Sequence, residues 1–137
     1  MTAIRVLLSH AAQTMLFVWQ YDFKTAFLNS PITDEEIYVA QPHGFEKTEV
    51  NGKRGKYVCK LEKGLYGLKQ SPRLWAATLT AWLLAYGFKA ATSTDCLYIF
   101  RAGAAYIYLI YWVDDMLLIS NSDEERLTCK HAGAPPR

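Results

Sequence analysis

Residues 106–120 read Tyr-Ile-Tyr-Leu-Ile-Tyr-Trp-Val-Asp-Asp-Met-Leu-Leu-Ile-Ser. Two apolar runs flank a pair of adjacent carboxylates, Asp114 and Asp115. Runs this short, rich in β-branched and aromatic side chains, suit buried strands. Only Val113, Asp114 and Asp115 lie between them, so the stretch predicts a tight β-hairpin with acid at its bend. A solvated turn is one reading, because Asp is an ordinary turn residue. The other is a cation site, because two desolvated neighbouring carboxylates need a cation or a dense set of donors. Both readings stay open on this stretch alone.

Working outward, Leu97–Phe100 reads as a preceding strand and Ala102-Gly103-Ala104 as the turn between the two. At the N-terminal end, Ile4, Leu7, Leu8, Ala11, Ala12 and Met15 recur on one face of a helix spanning residues 2 to about 15. Leu16–Asp22 then switches to strand character and delivers a third carboxylate, Asp22, at its C-terminal end. Phe23–Leu28 predicts a short helical turn, broken at Asn29-Ser30-Pro31. Ile37–Ala40 is a short strand, Asn51-Gly52 a hairpin turn, and Lys56–Leu61 a half-buried strand. Ser71-Pro72 predicts a helix start, with Ser71 at the N-cap and Pro72 in the first position. That helix runs to Tyr86, with Trp75, Leu79, Trp82, Leu83 and Tyr86 on its core face and Gly87 as its C-cap. Asn121–Glu125 resembles the first turn of another helix, and Thr128–Arg137 a disordered tail. Without regular β–α alternation, the order predicts an α+β fold: an antiparallel sheet carrying the carboxylate hairpin and backed by helices.

The chain has 137 residues, 51% hydrophobic and 20% charged, with a net charge of +2. These values predict one globular core, with no global field that demands a polyanionic partner. Locally, Lys53, Arg54, Lys56, Lys60, Lys63, Lys69 and Arg73 cluster with Glu62 as the sole acid among them. This suits a phosphate backbone or triphosphate, and equally a solvated surface. Cys59, Cys96 and Cys129 form no CxxC pattern, which predicts reduced thiols rather than a disulfide framework or a zinc site. His10, His43 and His131 have no partners at metal or triad spacing and read as surface residues. The apolar run at Ala104–Val113 is too short to span a bilayer, and no signal peptide opens the chain, so no membrane association is expected. If the strand ending at Asp22 lies beside the hairpin that carries Asp114, three carboxylates meet at one sheet edge. Mg²⁺ takes oxygen ligands, usually a few carboxylates plus substrate phosphates. Two such ions can activate an attacking oxygen and stabilise a leaving one. Gly64 and Gly67 could let a substrate approach the backbone closely.

Four stretches together resemble Ty1/copia-type retrotransposon reverse transcriptases. Asp22–Asn29 (DFKTAFLN) is similar to that family's first catalytic motif, and Ile37–Phe45 (IYVAQPHGF) to its IYxxQPxGF segment. Leu61–Trp75 (LEKGLYGLKQSPRLW) is similar to its LYGLKQSPRxW signature, and Tyr111–Met116 (YWVDDM) occupies the place of its YVDDM box. The resemblance covers residues 2 to 125 and leaves 126–137 outside the family pattern.

The resemblance implies a truncated fingers-and-palm fragment of an RNA-directed DNA polymerase, built on a polymerase-palm sheet. Asp22 and Asp114 would be the main ligands of two Mg²⁺ ions, which Mn²⁺ could replace. Asp115 would stand beside them, and the backbone carbonyl of Phe23 would be a further ligand. Phe27 matches the bulky gate that selects deoxynucleotides. Tyr66, Gly67, Lys69, Gln70, Ser71, Pro72 and Arg73 fall in the nucleotide and template pocket, and Trp112 and Val113 at the primer end. Partners would be a primed RNA or DNA template, deoxynucleoside triphosphates and the remainder of a retrotransposon polyprotein, in a cytoplasmic particle. Trp112 departs from the family's Tyr, and the upstream fingers, thumb and ribonuclease H portions are not matched. The alternative is a degenerate, catalytically silent palm fragment with at most weak nucleic-acid binding. A two-metal nuclease would explain the carboxylates but not Leu65–Trp75.

Overall fold

The computed structural model describes residues 2–47, 57–92 and 94–123. Helix α1 (Thr2–Thr14) buries Leu7 and Ala11, one turn apart on the predicted face. Strand β1 (Phe17–Asp22) follows, then a 3-10 turn at Ala26–Asn29. Two short strands, β2 (Tyr38–Ala40) and β3 (Val58–Lys60), pair as an antiparallel ribbon. Helix α2 (Ser71–Tyr86) leads to β4 (Lys89–Ala90), β5 (Leu97–Ala102), β6 (Ala105–Trp112) and β7 (Asp115–Ser120). The result is the expected mixture of helices and antiparallel sheet.

The main sheet has the order β1-β7-β6-β5-β4, with every pair antiparallel. It is the middle layer between the two helices. On one face Leu97, Ile110 and Ile119 pack with Leu7 and Ala11 of α1. On the other, Tyr98, Ile107, Leu109 and Leu118 pack with Trp75, Leu79 and Leu83 of α2. Successive residues of β6 and β7 therefore enter different cores. This is why residues 106–119 read as almost continuous apolar runs rather than as an alternation. Burying a Leu or Ile side chain contributes about 1.5–3 kcal/mol, so this hairpin anchors both layers at once.

Local details differ from the sequence reading in four places. The N-cap of α2 is Gln70 rather than Ser71, and no side chain caps it. Ser71 lies inside the first turn, where its hydroxyl donates to the Leu65 carbonyl at 2.6 Å. Trp82 and Tyr86 are half-buried, with rings stacked at 5.9 Å on the flank of the core. The β2–β3 ribbon buries little, since Tyr38 and Val58 are both exposed; two strands alone offer no second layer to pack against. Strand β4, absent from the sequence reading, is too short to show a period and is made by its pairing with β5.

Gly87 caps α2 with φ 103°, its N–H shared by the Leu83 and Leu84 carbonyls. The Asn51-Gly52 turn, the end of the helical turn expected at Asn121–Glu125, and the 126–137 tail fall outside the described residues. No described helix is long and apolar enough to cross a membrane, and Cys59 and Cys96 are free thiols.

Candidate metal and nucleotide site

The register of β1 against β7 places Asp22 directly opposite Asp115. Side chains so paired have Cβ atoms about 4.5–5.5 Å apart on one face of the sheet. Asp114 is not in the strand. Val113 and Asp114 form the two-residue turn between β6 and β7, whose last pair is Trp112 with Asp115. The three carboxylates thus share one end of the sheet. Asp115 rather than Asp114 is the cross-strand neighbour of Asp22.

The turn is held by its backbone. Val113 has φ 53°, a left-handed conformation that costs a β-branched residue energy and persists where its surroundings over-determine it. Those surroundings are visible. The indole N–H of Trp75 donates to the Val113 carbonyl at 2.7 Å. The Phe23 N–H donates to the Asp114 carbonyl at 2.7 Å. Phe23 and Trp75 meet edge to face, with ring centroids 5.0 Å apart. Helix α2, the residue after Asp22 and the Val113–Asp114 turn are therefore one tied unit.

Side-chain contacts distinguish the three acids. Asp115 Oδ1 accepts from Gln20 Nε2 at 3.2 Å. Asp114 Oδ2 accepts from the Tyr66 hydroxyl at 2.8 Å. Asp114 Oδ1 is buried with no hydrogen-bond partner. Asp22 is exposed. The Asp114 carboxylate, by accepting its hydrogen bond, holds the Tyr66 hydroxyl above the ordinary tyrosine pKa. Burial and the Asp114 charge add to this, and the Asp22 charge contributes a smaller push. Tyr66 therefore stays a donor at neutral pH.

Among the described residues, no three His, Cys, Asp or Glu side chains converge closely enough to enclose a metal ion. That is not a misfit for Mg²⁺, which keeps waters and substrate oxygens and seldom takes an all-protein cage. A buried acceptor with no partner, beside two further carboxylates at an open sheet end, is a donor set that fits a hard divalent cation.

Of the remaining candidates, Tyr66 touches Asp114 and Phe27 touches Tyr66. Phe27 is 7% exposed and part of the core, with its ring 4.6 Å from that of Tyr66. Gly67 has φ 94° and open space where a Cβ would stand. Gly64 is different: a Cβ there would lie 2.9 Å from the Phe27 carbonyl and 3.1 Å from Ser71 Oγ. Its close approach serves the protein's own backbone, not a substrate, which corrects the sequence reading. Gln70 Nε2 reaches Glu35 Oε2 at 3.4 Å, while Lys69, Pro72 and Arg73 are exposed. Trp112 is 71% exposed beside the acids.

Sequence reasoning missed Gln20 and the polar role of Trp75. Gln20 sits two positions before Asp22, on the same strand face, in an otherwise largely apolar strand. That parity was the available signal. Nothing in a helical period announces where an indole N–H points.

The family profile described as "Reverse transcriptase (RNA-dependent DNA polymerase)" matches residues 1–131. The chain is 40% identical over 120 residues to the "Retrovirus-related Pol polyprotein from transposon RE2" of Arabidopsis thaliana, covering 88% of this chain and 8% of that protein. It is 45% identical over 120 residues to the "Retrovirus-related Pol polyprotein from transposon TNT 1-94" of Nicotiana tabacum, covering 87% of this chain and 9% of that protein. It is also 31% identical over 121 residues to the "Transposon Ty1-DR4 Gag-Pol polyprotein" of Saccharomyces cerevisiae, covering 88% of this chain and 7% of that protein. The chain thus spans less than a tenth of the length of these relatives. No solved structure matches it. With its paired acids at one sheet end and a profile match along nearly its whole length, the chain belongs to the reverse transcriptase (RNA-dependent DNA polymerase) family of Ty1/copia-type retrotransposon Pol polyproteins.

Proposed function

We propose that the Asp22, Asp114 and Asp115 end of the sheet is the nucleotidyl-transfer site of a polymerase palm. It would join a deoxynucleoside triphosphate to the 3′-OH of a primer on an RNA or DNA template. The observation that carries this reading is the buried, unpartnered Oδ1 of Asp114 beside the Asp22–Asp115 pair. Asp22, Asp114 and the Phe23 backbone carbonyl would hold two Mg²⁺ ions, or Mn²⁺, with Asp115 adjacent. When bound, such ions activate the attacking hydroxyl and stabilise the leaving oxygen.

The protein's own part is positioning. Phe27, fixed in the core, presents a rigid edge against the ribose and crowds a 2′-OH. Tyr66, Gly67, Gln70 and the exposed Pro72 shape the wall beside that edge, with Ser71 buried behind them at the start of α2. Lys69 and Arg73, both exposed, offer charge to phosphates of the nucleotide or template. The exposed Trp112 ring, next to Val113 in the chain, meets the primer terminus by stacking. The rest of a Pol polyprotein would supply the remaining polymerase surfaces, in a cytoplasmic retrotransposon particle.

Primer extension on a primed RNA template, with deoxynucleotides and Mg²⁺, tests this. Placed between the upstream and downstream polymerase segments of a relative, the chain should extend the primer. Asp22→Asn or Asp114→Asn should abolish extension, and Trp112→Tyr should raise it. Assayed alone, the 137 residues should extend undetectably, because misplacing reacting groups by about 1 Å costs about a hundredfold. Extension that survives Asp114→Asn would overturn the assignment. No extension from the rebuilt polymerase would establish the silent-fragment reading instead.

A further inference from the structure

We propose that Tyr66 is a positioning residue for the divalent cation, its hydroxyl taking one oxygen of Asp114 so that the other is turned toward the ion. The inference rests on the metal-site reading above and assigns it a specific supporting residue.

A carboxylate has two oxygens, and the two of Asp114 are treated differently. Oδ2 accepts from the Tyr66 hydroxyl at 2.8 Å, whereas Oδ1 is buried without a partner. A buried acceptor left unmade is costly, so this rotamer stands only if something fixes it or something else completes it. The backbone cannot choose it. The carbonyls of Val113 and Asp114 are held by Trp75 and Phe23, which leaves the Asp114 side-chain torsions as the remaining freedom. Among the described residues, the Tyr66 hydroxyl is what sets them.

Tyr66 is 54% exposed, yet it stands on a fixed base. Its ring rests 4.6 Å from that of Phe27, which is in the core. Two residues earlier, Gly64 is pressed against the Phe27 carbonyl and Ser71, and its N–H donates to the Ser30 carbonyl at 2.9 Å. A hydrogen bond donated to a ligand carboxylate orients it, and its loss typically weakens metal binding about 10–100-fold.

The test is Mn²⁺ binding to the full 137-residue chain, followed by water-proton relaxation without nucleotide or template. Tyr66→Phe keeps the ring on Phe27 and removes only the hydroxyl. It should weaken binding about 10–100-fold, with an unchanged circular dichroism spectrum. In an Asp114→Asn background the same substitution should add nothing, because Tyr66 acts through Asp114. Unchanged affinity in Tyr66→Phe would overturn the proposal. Tighter binding would also overturn it, by showing that the hydroxyl competes with the ion for Asp114. Wild-type affinity in Asp114→Asn would overturn the metal-site reading itself. A loss in Asp114→Asn with none in Tyr66→Phe would overturn the role of Tyr66 alone.

Discussion

Replacing Trp75 should loosen the Val113–Asp114 turn by an amount that can be separated into two parts. Trp75 is 2% exposed, packs edge to face on Phe23 and donates to the Val113 carbonyl at 2.7 Å. Trp75→Ala removes a core aromatic ring, a change that costs about 3–5 kcal/mol. It also leaves the Val113 carbonyl without its donor, worth about 1–3 kcal/mol when the group stays buried. Benzothienylalanine, an indole isostere with sulfur in place of N–H, removes only the second part. We expect it to lower stability by about 1–3 kcal/mol, and Trp75→Phe to lower it further by leaving a cavity. Urea unfolding followed by circular dichroism reads this as a lower midpoint at unchanged slope. Stability equal to wild type with benzothienylalanine would refute the claim that this hydrogen bond holds the turn.

Other expectations follow from single contacts. Gly64→Ala places a Cβ 2.9 Å from the Phe27 carbonyl; it should cost about 1–3 kcal/mol as overpacking does, read by the same urea titration. The Lys60 ammonium, bonded to Glu36 together with the Tyr38 hydroxyl, holds the Glu36 carboxyl below its ordinary pKa. The sign is that of a depressed carboxylate: its contribution is full above the ordinary Glu range and is lost as pH falls through the lower folded value. Carboxyl NMR titration should therefore find Glu36 below the usual glutamate range, and Lys60→Ala should move it back up. In the rebuilt polymerase, Phe27→Ala should relax discrimination against ribonucleotides; unchanged discrimination in primer extension would remove Phe27 from the gate.

Much of the fold was legible because it is local. The period of Ile4, Leu7 and Ala11 defined α1, and Gly87 marked the end of α2. The acidic bend between two apolar runs defined the β6–β7 hairpin. The strand of Asp22 was expected beside the carboxylate hairpin and is found there, but Asp115 as the residue facing Asp22 was not legible, because register between distant strands is set by which faces are buried in the finished sheet. Trp75 was legible as core, since its helical period reports a face. Its polar duty to Val113 was not, since that depends on where a turn from another part of the chain arrives. Ser71 misled for a related reason. Its type and its neighbour Pro72 fit a cap, but the Leu65 carbonyl competes for the hydroxyl and wins. Gly64 was recognised as a place of close approach, yet what approaches it is Phe27.

The pairing of β1 with β7 also bears on the order in which the molecule assembles. Strands β5, β6 and β7 are joined by short turns, so their contacts form with little loop-closure entropy. Gln20 and Asp115 are 95 positions apart, and bringing them together is the slow, non-local step. We expect β1 to dock last, on a meander already in place, bringing Asp22 to Asp114 and Asp115 only then. A partly folded chain can hold a nearly complete hydrophobic sheet and still keep Asp22 apart from Asp114 and Asp115, so amide protons of β1 should exchange before those of β6 as that end opens.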